Sequence, residues 1–247
     1  MDKARIATLL EPFLQQPLAP SQLDQISTYI DLLQRWNARI NLTAIRNEEE
    51  IVTRHFGESL FMARHLFPSP INKENCQHER SNAMIEAHGA AESKDPYRPN
   101  TAASPTVIDI GSGAGFPAIP LKIWAPQIHL TMIESNHKKS AFLKEVARAL
   151  TLTNINIITD RAETVAERGL KADIVTLRAV EHFESILPLA AKLASPTGTL
   201  ALLIGKSQLP ALGGFASKII RLINIQQSHS RIVVLVEINH NSKLTTL

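Results

Sequence analysis

The sequence predicts an α/β fold: a mostly parallel sheet of seven strands with helices on both faces, preceded by a helical extension. Three observations predict it. From Thr106 onwards, short and almost wholly apolar runs alternate with stretches of helical period, the pattern left by parallel strands buried on both faces. The first of these runs closes on Gly111-Ser112-Gly113-Ala114-Gly115 and opens into a helix. Before Phe67, the apolar residues recur at helical spacing behind recognisable start signals.

Residues 1–67 form the expected extension. Ser21 followed by Asp24 resembles an N-cap with its capping-box partner, and Leu23, Ile26, Ile30, Leu33 and Ile40 recur at roughly helical spacing. Asn47 with Glu50 repeats the start signal before Ile51, Val52, Phe56, Leu60 and Ala63, which share one helical face. Residues 68–105 change character, with Pro68, Pro70, Pro96, Pro99 and Pro105 among many polar residues and no period. So long a structureless stretch is expected to be a mobile insertion or linker. His78 and His88 within it lack paired-ligand spacing and are expected to be solvated.

Residues 106–247 are expected to hold the sheet. Strands are predicted at Val107–Ile110, Ile128–Ile133, Ile155–Thr159, Asp173–Leu177 and Thr199–Ile204. Helices are predicted at Pro117–Ala125, Asn136–Leu150 and Phe183–Ala194, the second burying Phe142, Leu143, Val146, Ala147 and Leu150. Two final strands, Ile219–Ile225 and Arg231–Ile238, flank the polar turn Gln226–Ser230. There is no internal repeat.

Composition narrows the functional classes. The chain has 247 residues, 44% hydrophobic and 20% charged, values that suit a soluble protein with a real core. A net charge of +3 leans towards anionic partners, although the basic residues are interspersed with acids. Aromatics at 5% argue against a surface built to stack many single-stranded bases. The single cysteine, Cys76, excludes an intramolecular disulfide and a cysteine zinc site, and no metal is expected. The apolar run Ile6–Leu10 stops at Glu11, too short for a secretory signal, and no stretch approaches membrane-spanning length. A cytoplasmic location without membrane partners is expected, and nothing demands more than a monomer.

The segment from Asp109 to Pro117 is the most informative. Glycines allow a tight turn and let a ligand approach the backbone with no Cβ in the way. Gly111, Gly113 and Gly115 give G-x-G-x-G, whereas a dinucleotide fingerprint reads G-x-G-x-x-G. Phe116 stands at the missing glycine, where it suits an apolar wall beside an adenosyl group better than a pyrophosphate. Asp109 could order the turn or receive a cationic end of the ligand. About twenty residues on, the second strand ends at Glu134, whose carboxylate can accept both ribose hydroxyls of an adenosine. Arg178, ending the fourth strand, could hold a cofactor carboxylate, a guanine O6 or a phosphate, or form a structural ion pair. Trp36 and Phe142 read as core, and His137-Lys138-Lys139 as a solvated helix start within reach of phosphate.

The stretch from Val107 through Gly111-Ser-Gly-Ala-Gly-Phe-Pro to Lys122 resembles the signature of the glucose-inhibited division protein B family, whose members methylate N7 of a guanine in 16S ribosomal RNA. Trp36-Asn37-Ala-Arg-Ile-Asn41-Leu42-Thr43 resembles its W-N-x-x-x-N-L-T block, and Arg54-His55-Phe-Gly-Glu58-Ser59 its R-H-x-x-D-S block, with Glu58 where Asp is usual. Asp160-Arg161-Ala162-Glu163 and Arg178-Ala179 resemble two later elements in the same order. The resemblance implies a class I S-adenosylmethionine-dependent methyltransferase fold, Rossmann-like, with an N-terminal helical extension. It implies S-adenosylmethionine contacts at Gly111, Phe116, Ala162, Glu163 and Arg178, to which the residues themselves add Gly113 and Glu134. Arg54, His55 and Lys206 become candidates for the RNA, although the family's L-K-G is here Ile204-Gly205-Lys206, with the lysine beyond the glycine. The implied partner is 16S ribosomal RNA or the small ribosomal subunit.

Guanine N7 carries a free lone pair, so no obligatory general base is expected, and no Ser/His/Asp constellation stands in the sequence. Three other readings stay open at this point. They are a class I methyltransferase of a small molecule or protein, a nicotinamide-dependent oxidoreductase, and a non-catalytic RNA-binding assembly factor.

Overall fold

β1 (Thr106–Ile110), β2 (His129–Ile133), β3 (Ile155–Ile158), β4 (Ala172–Arg178), β5 (Ala194–Gly205), β6 (Ile219–Asn224) and β7 (Arg231–Glu237) fall on the seven expected apolar runs. They form one sheet in the order β3-β2-β1-β4-β5-β7-β6. The first five pair in parallel, and β7 runs antiparallel to both β5 and β6. The computed structural model describes residues 1–68, 104–178, 183–225, 227–228 and 230–238. The expected insertion over 68–105, apart from its ends, lies outside the described residues, as do His78, His88 and Ala179.

Successive side chains of a strand point to opposite faces, so an apolar run feeds two cores at once. Val107, Ala201, Leu203, Val233 and Leu235 face one core. Their chain neighbours Ile108, Leu200, Leu202 and Val234 face the other.

The second core is closed by α7 (Ala162–Glu167) and α8 (Phe183–Leu193), through Val165, Leu187 and Leu193. The first takes α5 (Ala118–Trp124), α6 (His137–Ala149) and the whole extension. Of the extension, α1 (Lys3–Leu10) and α2 (Pro20–Asn37) come first. A single turn, α3 (Glu48–Glu50), then runs through a π-helical stretch, Ile51–Gly57, into α4 (Glu58–Leu66).

The start of α2 differs from expectation. Pro20 takes the first helical position, where its missing N–H costs nothing, and Ser21 lies inside the first turn. The Gln22 side chain accepts the Ala19 N–H at 2.9 Å in place of the expected serine cap. Ile40 lies in the turn beyond the helix end. The second start signal is as expected, with Asn47 Oδ1 accepting the Glu50 N–H at 3.0 Å.

Two glutamines of α2 dock the extension. Gln22 Nε2 donates to the Ile123 carbonyl at 2.9 Å and Gln25 Nε2 to the Leu150 carbonyl at 3.1 Å, satisfying acceptors at the ends of α5 and α6.

Candidate active site

The carboxyl ends of the parallel strands lie in register, Ile110 beside Ile133 and Leu177, and Ile133 beside Ile158. The chain proceeds to opposite sides of β1, towards β2 and β3 on one flank and β4 and β5 on the other. A crevice at such a switch point is where α/β sheets bind ligands.

The turn after β1 holds Gly111, Gly113 and Gly115 at φ of +66°, +55° and +86°, left-handed values that a Cβ opposes. The N–H groups of Gly111 and Ser112 donate to the Ile133 carbonyl at 2.9 and 3.1 Å. Glu134, 6% exposed, accepts the Gly113 N–H on Oε2 and the Asn136 N–H on Oε1, each at 2.8 Å. The acid at the end of β2 thus clasps the glycine turn, the joint placement its spacing predicts. Each carboxylate oxygen keeps a further acceptor site. A Cβ on Gly111 would meet nothing within 4 Å, and on Gly113 only the Gly111 carbonyl at 3.7 Å. That side of the turn is open.

Behind the turn, Asp109 is 1% exposed. Its Oδ1 accepts the Thr176 hydroxyl at 2.5 Å, while Oδ2 has no partner among the described residues. Burial raises its pKa to about 6, with Glu134 pushing the same way and Thr176, Ser112 and Arg178 opposing. A buried acceptor without a donor is costly. An open glycine backbone, a spare buried carboxylate oxygen and an acid with free lone pairs fit an adenosyl ligand carrying an ammonium group.

Phe116 packs against three aromatic rings of the extension. Tyr29 stacks on it at 5.2 Å and 8°, His55 stacks at 4.7 Å and 16°, and Phe56 meets it edge-on at 5.0 Å. Packed in this way and 7% exposed, Phe116 braces the turn. His55 Nε2 is 2.7 Å from Thr43 Oγ1. Burial, then the charges of Arg178, Arg54 and Arg231, lower the His55 pKa to about 3 and keep the ring neutral. The N-L-T and R-H blocks therefore meet here. Asn37 holds the first of them in place, accepting the Leu42 and Thr43 N–H groups at 3.0 and 3.1 Å.

Arg178 points into the extension. Its Nη2 donates to Arg54 O at 2.6 Å and to Glu58 Oε2 at 3.0 Å, and its Nη1 reaches Ser59 Oγ and His55 O at 3.4 Å. The ion pair, one of the roles open to it, is formed with Glu58. Burial lowers its pKa to about 10 against the opposing effect of Glu58, so it remains a cation. Arg231 Nε lies 3.4 Å from the same Glu58 oxygen.

Beyond β3, Ala162 is buried at the start of α7 and Glu163 is exposed in its first turn. Lys206 follows β5 at the same edge, exposed, its N–H on the Ser230 carbonyl at 2.7 Å. Arg54 is exposed beside the end of β4. Gly111, Gly113, Phe116 and Glu134 thus form one unit, and Ala162, Glu163, Arg178 and Lys206 stand at neighbouring strand ends. Tyr29 and Thr176 carry no motif, and Glu58 was visible only as part of the R-H block. Among the described residues, no group of three or more His, Cys, Asp or Glu is placed to hold a metal ion, and no helix is long and apolar enough to cross a membrane.

The family model GidB, rRNA small subunit methyltransferase G, matches residues 22–70 and 81–238. A Bacillus subtilis protein named Ribosomal RNA small subunit methyltransferase G is 30% identical over 240 residues, covering 92% of this chain and 87% of its own. A protein of the same name from Chloroflexus aggregans is 34% identical over 215 residues, 81% of this chain and 76% of its own. One from Xanthomonas axonopodis pv. citri is 32% identical over 210 residues, 83% and 82%. With its glycine turn, its clasping acid and the extension from residue 22 onwards inside the matched segments, the chain belongs to the GidB family, rRNA small subunit methyltransferase G.

Proposed function

We propose that this chain methylates N7 of a guanine in 16S ribosomal RNA over the glycine turn that follows β1, using S-adenosylmethionine. As a member of the GidB family it is an S-adenosylmethionine-dependent methyltransferase of small-subunit ribosomal RNA. The observation that carries the placement is the hydrogen bond from Gly113 to Glu134, which makes the open backbone and the ribose-accepting acid one rigid unit.

When bound, S-adenosylmethionine would supply a methyl group on a cationic sulfur, which would keep the electron pair of the sulfur–methyl bond as the methyl passed to N7. In this reading the free lone pairs of Glu134 accept the ribose hydroxyls, and Asp109 Oδ2 accepts a donor from the ammonium end. Gly111 and Gly113 admit the ligand to the backbone, and Ala162 and Glu163 flank the adenine. N7 attacks through a free lone pair, so no side chain has to remove a proton. The remaining task is alignment in a dry, preorganised site.

Arg178 serves by fixing the His55–Glu58 segment against β4. Exposed Arg54 and Lys206 face the RNA phosphates. The enzyme works as a monomer in the cytoplasm, where its substrate is assembled. Mapping N7-methylguanosine in 16S RNA from cells with and without the gene tests the reaction. The modified base is expected to vanish without the gene, and its persistence would overturn the reading. Thermal stabilisation by S-adenosylhomocysteine and not by NAD tests the cofactor.

A further inference from the structure

We propose that Tyr29, on α2 of the extension, is a positioning residue of the cofactor turn: its hydroxyl holds the Ala114 carbonyl and so selects the turn conformation that admits the ligand. The proposal rests on the functional reading above and deepens it, because it makes the extension part of the cofactor site.

Three glycines in five residues make a pliable turn. Glycine visits positive and negative φ about equally, so the chain at Gly113 and Gly115 does not choose its own conformation. The peptide unit between Ala114 and Gly115 is held at both ends. Its N–H donates to the Ser112 carbonyl at 2.6 Å, and its carbonyl accepts the Tyr29 hydroxyl. A flip of that unit would break both bonds and strand a buried phenol.

The hydroxyl is itself fixed. Tyr29 is fully buried, parallel to Phe116 and edge-on to Phe56 at 5.1 Å. Burial and the charge of Asp109 raise its pKa well above 10, so it stays a donor. Gly115 is what admits it, since a Cβ there would lie 2.5 Å from Tyr29 Oη. The absent side chain and the tyrosine are therefore two halves of one device. Order present before binding is order the ligand need not impose.

Tyr29→Phe keeps the ring and its stacking and removes only the hydrogen bond. Calorimetry with S-adenosylhomocysteine is expected to show Kd weakened about tenfold, the effect of one buried hydrogen bond. KM for S-adenosylmethionine should rise with it, while kcat and KM for RNA stay within about twofold. Gln25→Ala, which removes another side-chain bond from the same helix, to the Leu150 carbonyl, is expected to lower Tm and leave Kd unchanged. An unchanged Kd in Tyr29→Phe, or an equal loss in Gln25→Ala, overturns the proposal while leaving the functional reading intact. A parent protein that binds no S-adenosylhomocysteine overturns that reading, and the proposal with it.

Discussion

Glu58 and Arg178 meet at 3.0 Å across the seam between the helical extension and β4, their side chains only 4% and 7% exposed. They are 120 residues apart in the chain. The other Nη hydrogen bonds of Arg178 go to the Arg54 and His55 carbonyls and the Ser59 hydroxyl. The π-helical stretch Ile51–Gly57 runs into α4 at this point, and such widened turns recur at functional sites.

Removing Glu58 leaves a buried guanidinium without its counter-charge. Glu58→Ala is expected to lose about 3–5 kcal/mol of unfolding free energy in urea, the usual cost of breaking a buried pair from one side. Glu58→Asp, which keeps the charge, should recover much of it. A loss below about 1 kcal/mol in Glu58→Ala would mean that the pair is solvated.

The extent to which the sequence discloses these features follows from their range. The strands are legible because burial on both faces leaves unbroken apolar runs, and β1 to β7 fall where those runs lie. The turn and Glu134 are legible because each ends a strand and the strands are neighbours. α7 escapes notice because six residues starting at Ala162 are too few for a period, and Arg161 makes no side-chain cap. The π-helical stretch reads as ordinary helix, since its apolar spacing is the same. Tyr29 reads as one more apolar position between Ile26 and Leu33, and nothing local joins it to Ala114, 85 residues away. The same distance hides the direction of Arg178, whose partner is set by how the extension docks.

The glycines of the turn should separate stability from affinity. Gly111→Ala puts a methyl into open space at φ +66°, so its strain is about 1–2 kcal/mol. It should melt close to the parent and lose most of its affinity for S-adenosylhomocysteine if, as proposed, the cofactor lies against this open side of the turn. Gly115→Ala would drive Cβ within 2.5 Å of Tyr29 Oη and 2.7 Å of Ile119 Cδ1. It should be strongly destabilised. Equal melting temperatures for the two variants would contradict this division.

His55 should resist protonation. Burial and its three arginine neighbours hold its pKa near 3, against an ordinary 6.5. The unfolded chain takes up this proton first as pH falls, so the stability tied to the neutral ring is full above about 6.5 and drains away towards pH 3. His65, lowered to about 4 by burial, then Arg64 and Arg221, adds to the same slope. Ring-proton NMR of the folded protein should show both rings still neutral at pH 5. A midpoint near 6.5 for His55 would place that ring in solvent.

Asp109 titrates with the opposite sign. Its carboxyl is raised from an ordinary 3.8 to about 6 by burial, with Glu134 adding to the effect. The folded protein therefore holds this proton more tightly than the unfolded chain. The resulting stability is full below about 3.8 and is lost as pH rises through about 6, a penalty at neutral pH of about 3 kcal/mol for a shift of roughly two units. Asp109→Asn can still accept the Thr176 hydroxyl but carries no charge, so it should be more stable than the parent at pH 7 and match it near pH 4. If the charged carboxylate is what receives the ammonium end of the cofactor, stability and binding must move apart. Affinity of the parent for S-adenosylhomocysteine should rise as pH passes through about 6 and then level off, with proton release on binding below that. The variant should bind weakly with no such rise. Calorimetry from pH 5 to 8 in buffers of different ionisation enthalpy reads both quantities. A parent whose affinity ignores pH across that range, or a variant no more stable at pH 7, would show that the spare oxygen of Asp109 is not where the cofactor lands.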